Sequence, residues 1–185
     1  MPDTASPYGQ RLTHERAAKD AFFRTSPHSP IPAIERPRFE GLAYFSADPE
    51  FRFEGLGLQE LVGDGLTEIQ IATADGGSRL ARRLGTLTFP LHGQPRTLAA
   101  YGLGSGDGSL FVPFLDATSG TETYGAGRYL DLEPEPDGTY VLDFNAAYHP
   151  YCAYSPDFSC PLTPAENRLP DRIEAGERLA AGEAH

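Results

Sequence analysis

Four groups of residues have types and spacings that could do chemistry. Arg128 follows Thr123-Tyr124-Gly125-Ala126-Gly127 and alternates with Leu130 and Leu132. Period-two alternation places the three on one apolar strand face. An arginine there requires an anionic partner or a hydrogen-bond network. Two readings stay open: an internal ion pair with Asp116 or Asp143, or an anchor for a ligand carboxylate or phosphate. Asp143 and Asn145 share a face with Val141, opposite Tyr140, Leu142 and Phe144. With Phe144 in the core they face solvent or a cleft, either holding loop backbone groups or supplying a catalytic carboxylate. Cys152 and Cys160 stand seven residues apart, with His149 nearby. They read as a reduced pair buried among tyrosines, as a disulfide, or as part of a metal site. A catalytic thiol would have only His149 as its base. Glu166-Asn167 can cap a short turn, brace a loop or offer a general base.

These residues need elements to position them. A helix is predicted from about Leu12 to Phe23, capped near Thr13, with Leu12, Ala18 and Phe22 on its stripe. Glu15 precedes Lys19 by four residues, the favourable order for an ion pair, and Ser26-Pro27 ends the helix. The connector 26–38 holds Pro27, Pro30, Pro32 and Pro37 and is expected along the body, burying Ile31, Ile34 and Phe39. From Phe39 onward the pattern is β: strands at Phe51–Leu58, Leu66–Thr73, from Ser78, Thr97–Tyr101, Ser109–Phe114, Arg128–Leu132 and Thr139–Asn145. The turns are Asp75-Gly76-Gly77, His92-Gly93-Gln94 and Pro134–Gly138. A change of parity between Leu80/Leu84 and Leu87/Phe89/Leu91 predicts a bulge near Gly85. The glycine-rich run 102–108 lacks a dinucleotide fingerprint and opens no helix, so it reads as a hairpin loop. Residues 146–170 carry five prolines together with Tyr148, Tyr151, Tyr154 and Phe158. A segment this aromatic is expected to lie across the sheet.

Composition excludes several classes. The formal net charge of −11 over 185 residues opposes nucleic acid and anionic lipid surfaces. The one basic cluster, Arg79, Arg82 and Arg83, reads as a solvated strand edge. No apolar run approaches the roughly 20 residues of a membrane span. Met1–Gln10 carries no secretory pattern, so a cytoplasmic chain with reduced cysteines is expected.

The run Leu142–Tyr154, with Cys160-Pro161-Leu162, Glu166–Leu169 and Ile173–Glu177, resembles the bacterial and archaeal DUF1684 family of unknown function. Phe39–Leu42, Phe114–Thr118, Thr123–Gly125 and Gly127–Tyr129 agree, so the resemblance spans about Phe39 to Glu177. The family pattern usually has asparagine at the place of His149 and proline at that of Thr163. The first departure weakens any metal or thiol–imidazole chemistry through His149. The chain resembles the shorter, unexported members.

The resulting expectation is a mainly β fold, an antiparallel barrel or sandwich with an N-terminal helix and a long irregular C-terminal segment. Residues 1–38 form the helix and connector, 39–177 a single β-rich domain and 178–185 a tail. The leading function is small-molecule binding, with or without catalysis, in a pocket floored by Arg128, Tyr129, Asp143 and Asn145. Tyr148, Tyr154, Glu166 and Asn167 would cover it. One alternative is a structural or interaction protein whose motif only locks the 146–170 loop onto the sheet. Another is a metal site at Cys152 and Cys160. No cofactor is named by the sequence, and a homodimer is compatible with it.

Overall fold

The computed structural model describes residues 6–61, 68–74, 76–103 and 106–180. Leu66 and Thr67 of one predicted strand, Asp75 of a turn, Gly104-Ser105 of the glycine-rich loop and residues 181–185 of the tail lie outside the described residues.

The chain opens with helix α1 (Pro7–Thr25), whose Ser6 side chain accepts the amide of Gly9 and caps it. Ser6-Pro7, with proline at the first helical position, is a stronger start than Thr13, so the helix begins earlier than expected. It ends at Thr25 before Ser26-Pro27, as expected. Its buried apolar residues are Leu12 and Phe23, whereas Phe22 and Ala18 are exposed. The stripe that meets the body is instead Leu12, Arg16, Lys19, Asp20 and Phe23, which follows helical spacing but is largely polar. Lys19 accordingly pairs with Glu177 rather than with Glu15, which lies 3.7 Å from Arg11. In the connector, Ser29 and Pro30 are buried, but Ile34 is 85% exposed, against expectation. A 3-10 turn over Arg36–Arg38 follows.

Ten strands follow. They are β1 (Ala43–Tyr44), β2 (Arg52–Leu56), β3 (Gln59–Glu60), β4 (Glu68–Ala72), β5 (Ser78–Leu91), β6 (Gln94–Gly102), β7 (Leu110–Phe114), β8 (Arg128–Leu132), β9 (Tyr140–Asp143) and β10 (Glu177–Arg178). A six-stranded antiparallel sheet runs β3-β5-β6-β7-β8, with β4 also paired to β5. Two ribbons, β1–β10 and β2–β9, complete the fold. The architecture is sandwich-like, and the described strands close no barrel. The register of β5 on β6 shifts between Arg83 and Gly85, where the parity change predicted a bulge. A Cβ on Gly85 would stand 2.5 Å from the carbonyl oxygen of Gln59, so glycine lets β3 pair there. His92 and Gly93 both have positive φ and make the tight β5–β6 turn.

Alternation along the strands gives the sheet two buried faces. Leu98, Ala100, Leu110, Val112, Phe114, Leu130 and Leu132 point inward against Phe51, Leu142, Phe144, Leu169 and Ile173. Ala99, Tyr101, Phe111 and Tyr129 point to the other face, where Tyr148, Tyr151, Cys152, Phe158 and Cys160 pack on them. The irregular segment therefore lies across the sheet as expected. No helix among the described residues is long and apolar enough to cross a membrane.

Candidate functional site

The eight residues expected around one pocket fall in five places. Arg128, first in β8, points into the inner core and is fully buried. Its Nη2 donates to Asp116 Oδ1 at 3.3 Å and to the Ile173 carbonyl at 2.8 Å. Nη1 donates to the carbonyls of Ala175 and Glu177, and the guanidinium lies 5.1 Å from the Phe114 ring centroid. Burial pulls its pKa down and the Asp116 charge opposes this. Asp116, not Asp143, is thus the anionic partner. It also accepts from the Thr118 hydroxyl at 2.9 Å and the Ile173 amide at 2.8 Å. Arg128 holds residues 173–177 to the sheet and does not line a cleft.

Asp143 and Asn145 sit at the end of β9, but Asn145 belongs to the 3-10 turn Phe144–Ala146 rather than to the strand. Asp143 caps that turn by accepting the Asn145 amide at 3.0 Å. It also accepts the Tyr8 hydroxyl at 2.8 Å, which ties α1 to the body. The buried Asn145 amide group accepts from the Asp48 N–H at 2.8 Å and donates to the Asp48 carbonyl at 2.7 Å. Both residues hold backbone and helix.

Asn167 solves a problem set by Pro113. Extending the Tyr101–Phe111 register places Ala99 opposite Pro113, and a proline inside a sheet cannot donate to the ladder. Asn167 inserts there: Oδ1 accepts the Ala99 N–H at 2.7 Å, while Nδ2 donates to the carbonyls of Ala99 at 2.9 Å and Pro113 at 2.7 Å. Its neighbour Glu166 pairs with Arg83 at 2.9 Å and accepts the Tyr101 hydroxyl at 2.5 Å.

Tyr154 stands under α1. Its hydroxyl donates to Glu177 Oε2 at 2.9 Å and its ring meets Phe23 edge-on at 5.1 Å. Glu177 is a buried carboxylate that also accepts the His149 amide at 2.7 Å and the Lys19 ammonium. His149 Nε2 accepts from the Tyr124 N–H at 3.2 Å, which places the proton of the neutral ring on Nδ1, 4.0 Å from Glu177. Burial first, then the charges of Arg128 and Lys19, push its pKa down to about 3. It is a neutral structural acceptor.

Only Tyr129 and Tyr148 share a cleft. It has a volume of about 510 Å³ and is walled by Phe111, Tyr129, Tyr148, Tyr151 and Phe158, with Lys19 and Asp131 contributing charges. The Tyr148 hydroxyl donates to Asp131 at 2.6 Å and the Tyr129 hydroxyl to the Pro161 carbonyl. The Lys19 ammonium sits 4.7 Å from the Tyr148 ring centroid. Burial, with Asp131 second, raises the Tyr148 pKa far above its ordinary value, so this phenol stays a protonated donor. A larger hollow of about 1120 Å³ lies between α1 and residues 45–51, but none of the eight residues lines it. Sequence reasoning missed Lys19, Phe111, Asp131 and Glu177. Phe111 was legible from its alternation with Leu110 and Val112. Lys19 reaches the cleft only because α1 docks there. Among the described residues no three histidine, cysteine or acidic side chains converge as a metal site.

No curated protein matches the chain. A solved structure does: the solution structure of an uncharacterised protein from Haloarcula marismortui, at 38% identity and a TM-score of 0.71, covering 99% of this chain and 100% of that one. The model of the family described as protein of unknown function, DUF1684, matches residues 37–178. That match takes in every strand and the whole aromatic cover, and the chain belongs to the DUF1684 family.

Proposed function

We propose that this domain binds a small organic molecule in the cleft between the outer face of the six-stranded sheet and its aromatic cover. One observation carries the reading: five aromatic side chains wall a half-open space of about 510 Å³ that also meets one ammonium and one carboxylate. Ligand sites are typically apolar concavities of roughly 300–1,000 Å³ with few polar groups. Ring edges and faces suit a flat, mainly apolar ligand, and Lys19 or Asp131 would orient its polar end. Tyr129 and Tyr148 line this site. Arg128, Asp143, Asn145, Tyr154, Glu166 and Asn167 support it from a distance. No catalytic role is assigned. The reading keeps the chain cytoplasmic, in line with its composition.

The test is an amide-shift titration of the full chain with a set of planar aromatic fragments. Shifts gathered on Phe111, Tyr129, Tyr148 and Phe158, and lost in Phe158→Asp, are expected. Fragments that shift scattered surface amides, or none, would overturn the reading.

A second reading, that the motif only locks the loop to the sheet, is favoured by Arg128. Its carbonyl acceptors and Asp116 explain it without any ligand. Under this reading Arg128→Ala and Asp143→Ala lower the melting temperature while no fragment binds.

A further inference from the structure

Two cysteines stand within the aromatic cover. Cys152 lies in the 3-10 turn Tyr151–Ala153, and Cys160 follows after seven intervening residues. The backbone N–H of Cys152 donates to Cys160 Sγ at 3.3 Å. The Cys152 sulfur is only three bonds from that nitrogen. Cys160 and the Tyr124 hydroxyl both stand near enough to the Cys152 thiol to perturb it. Both cysteines are free thiols. His149 does not join them as a ligand, since its Nε2 is held by the Tyr124 amide. Cys160 lines the cleft, which gives a small reagent a route to its sulfur.

We propose that Cys152 and Cys160 form a reversible intrachain disulfide, a redox modification site that fastens the aromatic cover over the sheet. The oxidant is a low-molecular-weight disulfide. The Cys160 thiolate attacks one of its sulfurs, a Cys160–S–S–R bond forms, and RS⁻ leaves and takes the proton that Cys160 gave up. The Cys152 thiolate then attacks the Cys160 sulfur and closes the ring, and the second RS⁻ takes the Cys152 proton. Two protein thiols lose two electrons and the reagent becomes two thiols. Burial, then the Cys160 hydrogen bond, pushes the Cys152 thiol up to about 11. Ring closure needs the Cys152 thiolate and therefore accelerates in alkali. The bond would fix Tyr151 and Phe158, whose rings meet edge-on at 5.2 Å. It stands whether or not the cleft holds a ligand.

The test uses the reduced full-length protein incubated with oxidised glutathione, with the urea-unfolded chain as reference. Remaining thiols are then blocked and the products read by intact mass and peptide mapping. The folded protein is expected to lose both thiols and carry a Cys152–Cys160 link without glutathione. It should do so faster than the unfolded chain and reverse with dithiothreitol. The link should raise the melting temperature by about 5–10 °C. Cys152→Ser is expected to strand Cys160 as the glutathione adduct. A folded chain that keeps both thiols while the unfolded one oxidises overturns the proposal. So do two glutathione adducts or a link between chains. These wild-type outcomes do not depend on any variant folding.

Discussion

Helix α1 and the C-terminal segment 144–178 both lie on the β domain, yet they are held in different ways. The helix satisfies its own backbone by internal hydrogen bonds, so only its side chains need partners. It buries Leu12 and Phe23 and otherwise docks by polar contacts. Tyr8 reaches Asp143, Arg16 reaches the carbonyls of Phe45 and Asn145, Lys19 reaches Glu177, and Asp20 accepts the Leu42 amide. The C-terminal segment has little regular structure, so its backbone groups must find partners elsewhere. From buried positions Arg128 donates to the carbonyls of Ile173, Ala175 and Glu177, and Asp116 accepts the Ile173 amide. An irregular segment buried in a domain thus requires buried charge to meet its backbone, whereas a helix requires only side-chain tethers. The family match begins at residue 37 and includes the C-terminal segment but not α1.

Substitutions can break or sharpen this contrast. Arg128→Ala should have the largest effect, because it leaves Asp116 and several carbonyls buried without their cation. Urea unfolding is expected to show a loss of about 3–5 kcal/mol, and near-normal stability would end the claim that the segment is held by buried charge. Asn167→Ala unpairs Ala99 on both backbone groups and Pro113 on its carbonyl. A loss of about 2–3 kcal/mol is expected, with faster amide exchange across β6 and β7. Lys19→Met removes one donor from Glu177 but leaves its two others. The expected cost is about 1–2 kcal/mol, with loss of exchange protection confined to α1; protection lost throughout the sheet would mean that the helix and the domain unfold as one unit. Tyr8→Phe should cost about 0.5–1.5 kcal/mol and loosen only the first turns of α1.

His149→Asn should have the smallest effect at neutral pH and a growing one in acid. The unfolded chain protonates its histidine near pH 6.5, whereas the folded one holds it neutral to about pH 3. Between those values the unfolded state binds more protons, so wild-type stability falls as the pH drops through this window and is fully present above it. The variant lacks that proton, and its stability should fall less between pH 6.5 and 4. Parallel curves for the two proteins would show that His149 does not carry the acid sensitivity.

Much of the fold follows from local pattern. Alternation in β6, β7 and β8 shows two buried faces, Gly85 marks the bulge, and His92-Gly93 makes a tight turn. The α1 stripe was misread because periodicity alone favours apolar residues. The residues that dock, Arg16, Lys19 and Asp20, are matched to polar groups far away in the chain. The candidate site was legible only in part. Tyr129 and Tyr148 were expected to stand together, and they do. Asp143, Asn145 and Asn167 were expected near a ligand, and their side chains instead satisfy backbone.

The sequence by itself determined that Arg128 would lie on an apolar face and need an acid, since alternation is a local property of the strand. Which acid answers it was decided only by the tertiary structure. Asp116 and Asp143 both follow a strand's last apolar residues, and nothing local separates them. The separation comes from the crossing of residues 173–177 beneath β8, which brings three carbonyls and Asp116 to one guanidinium and leaves Asp143 to hold the helix.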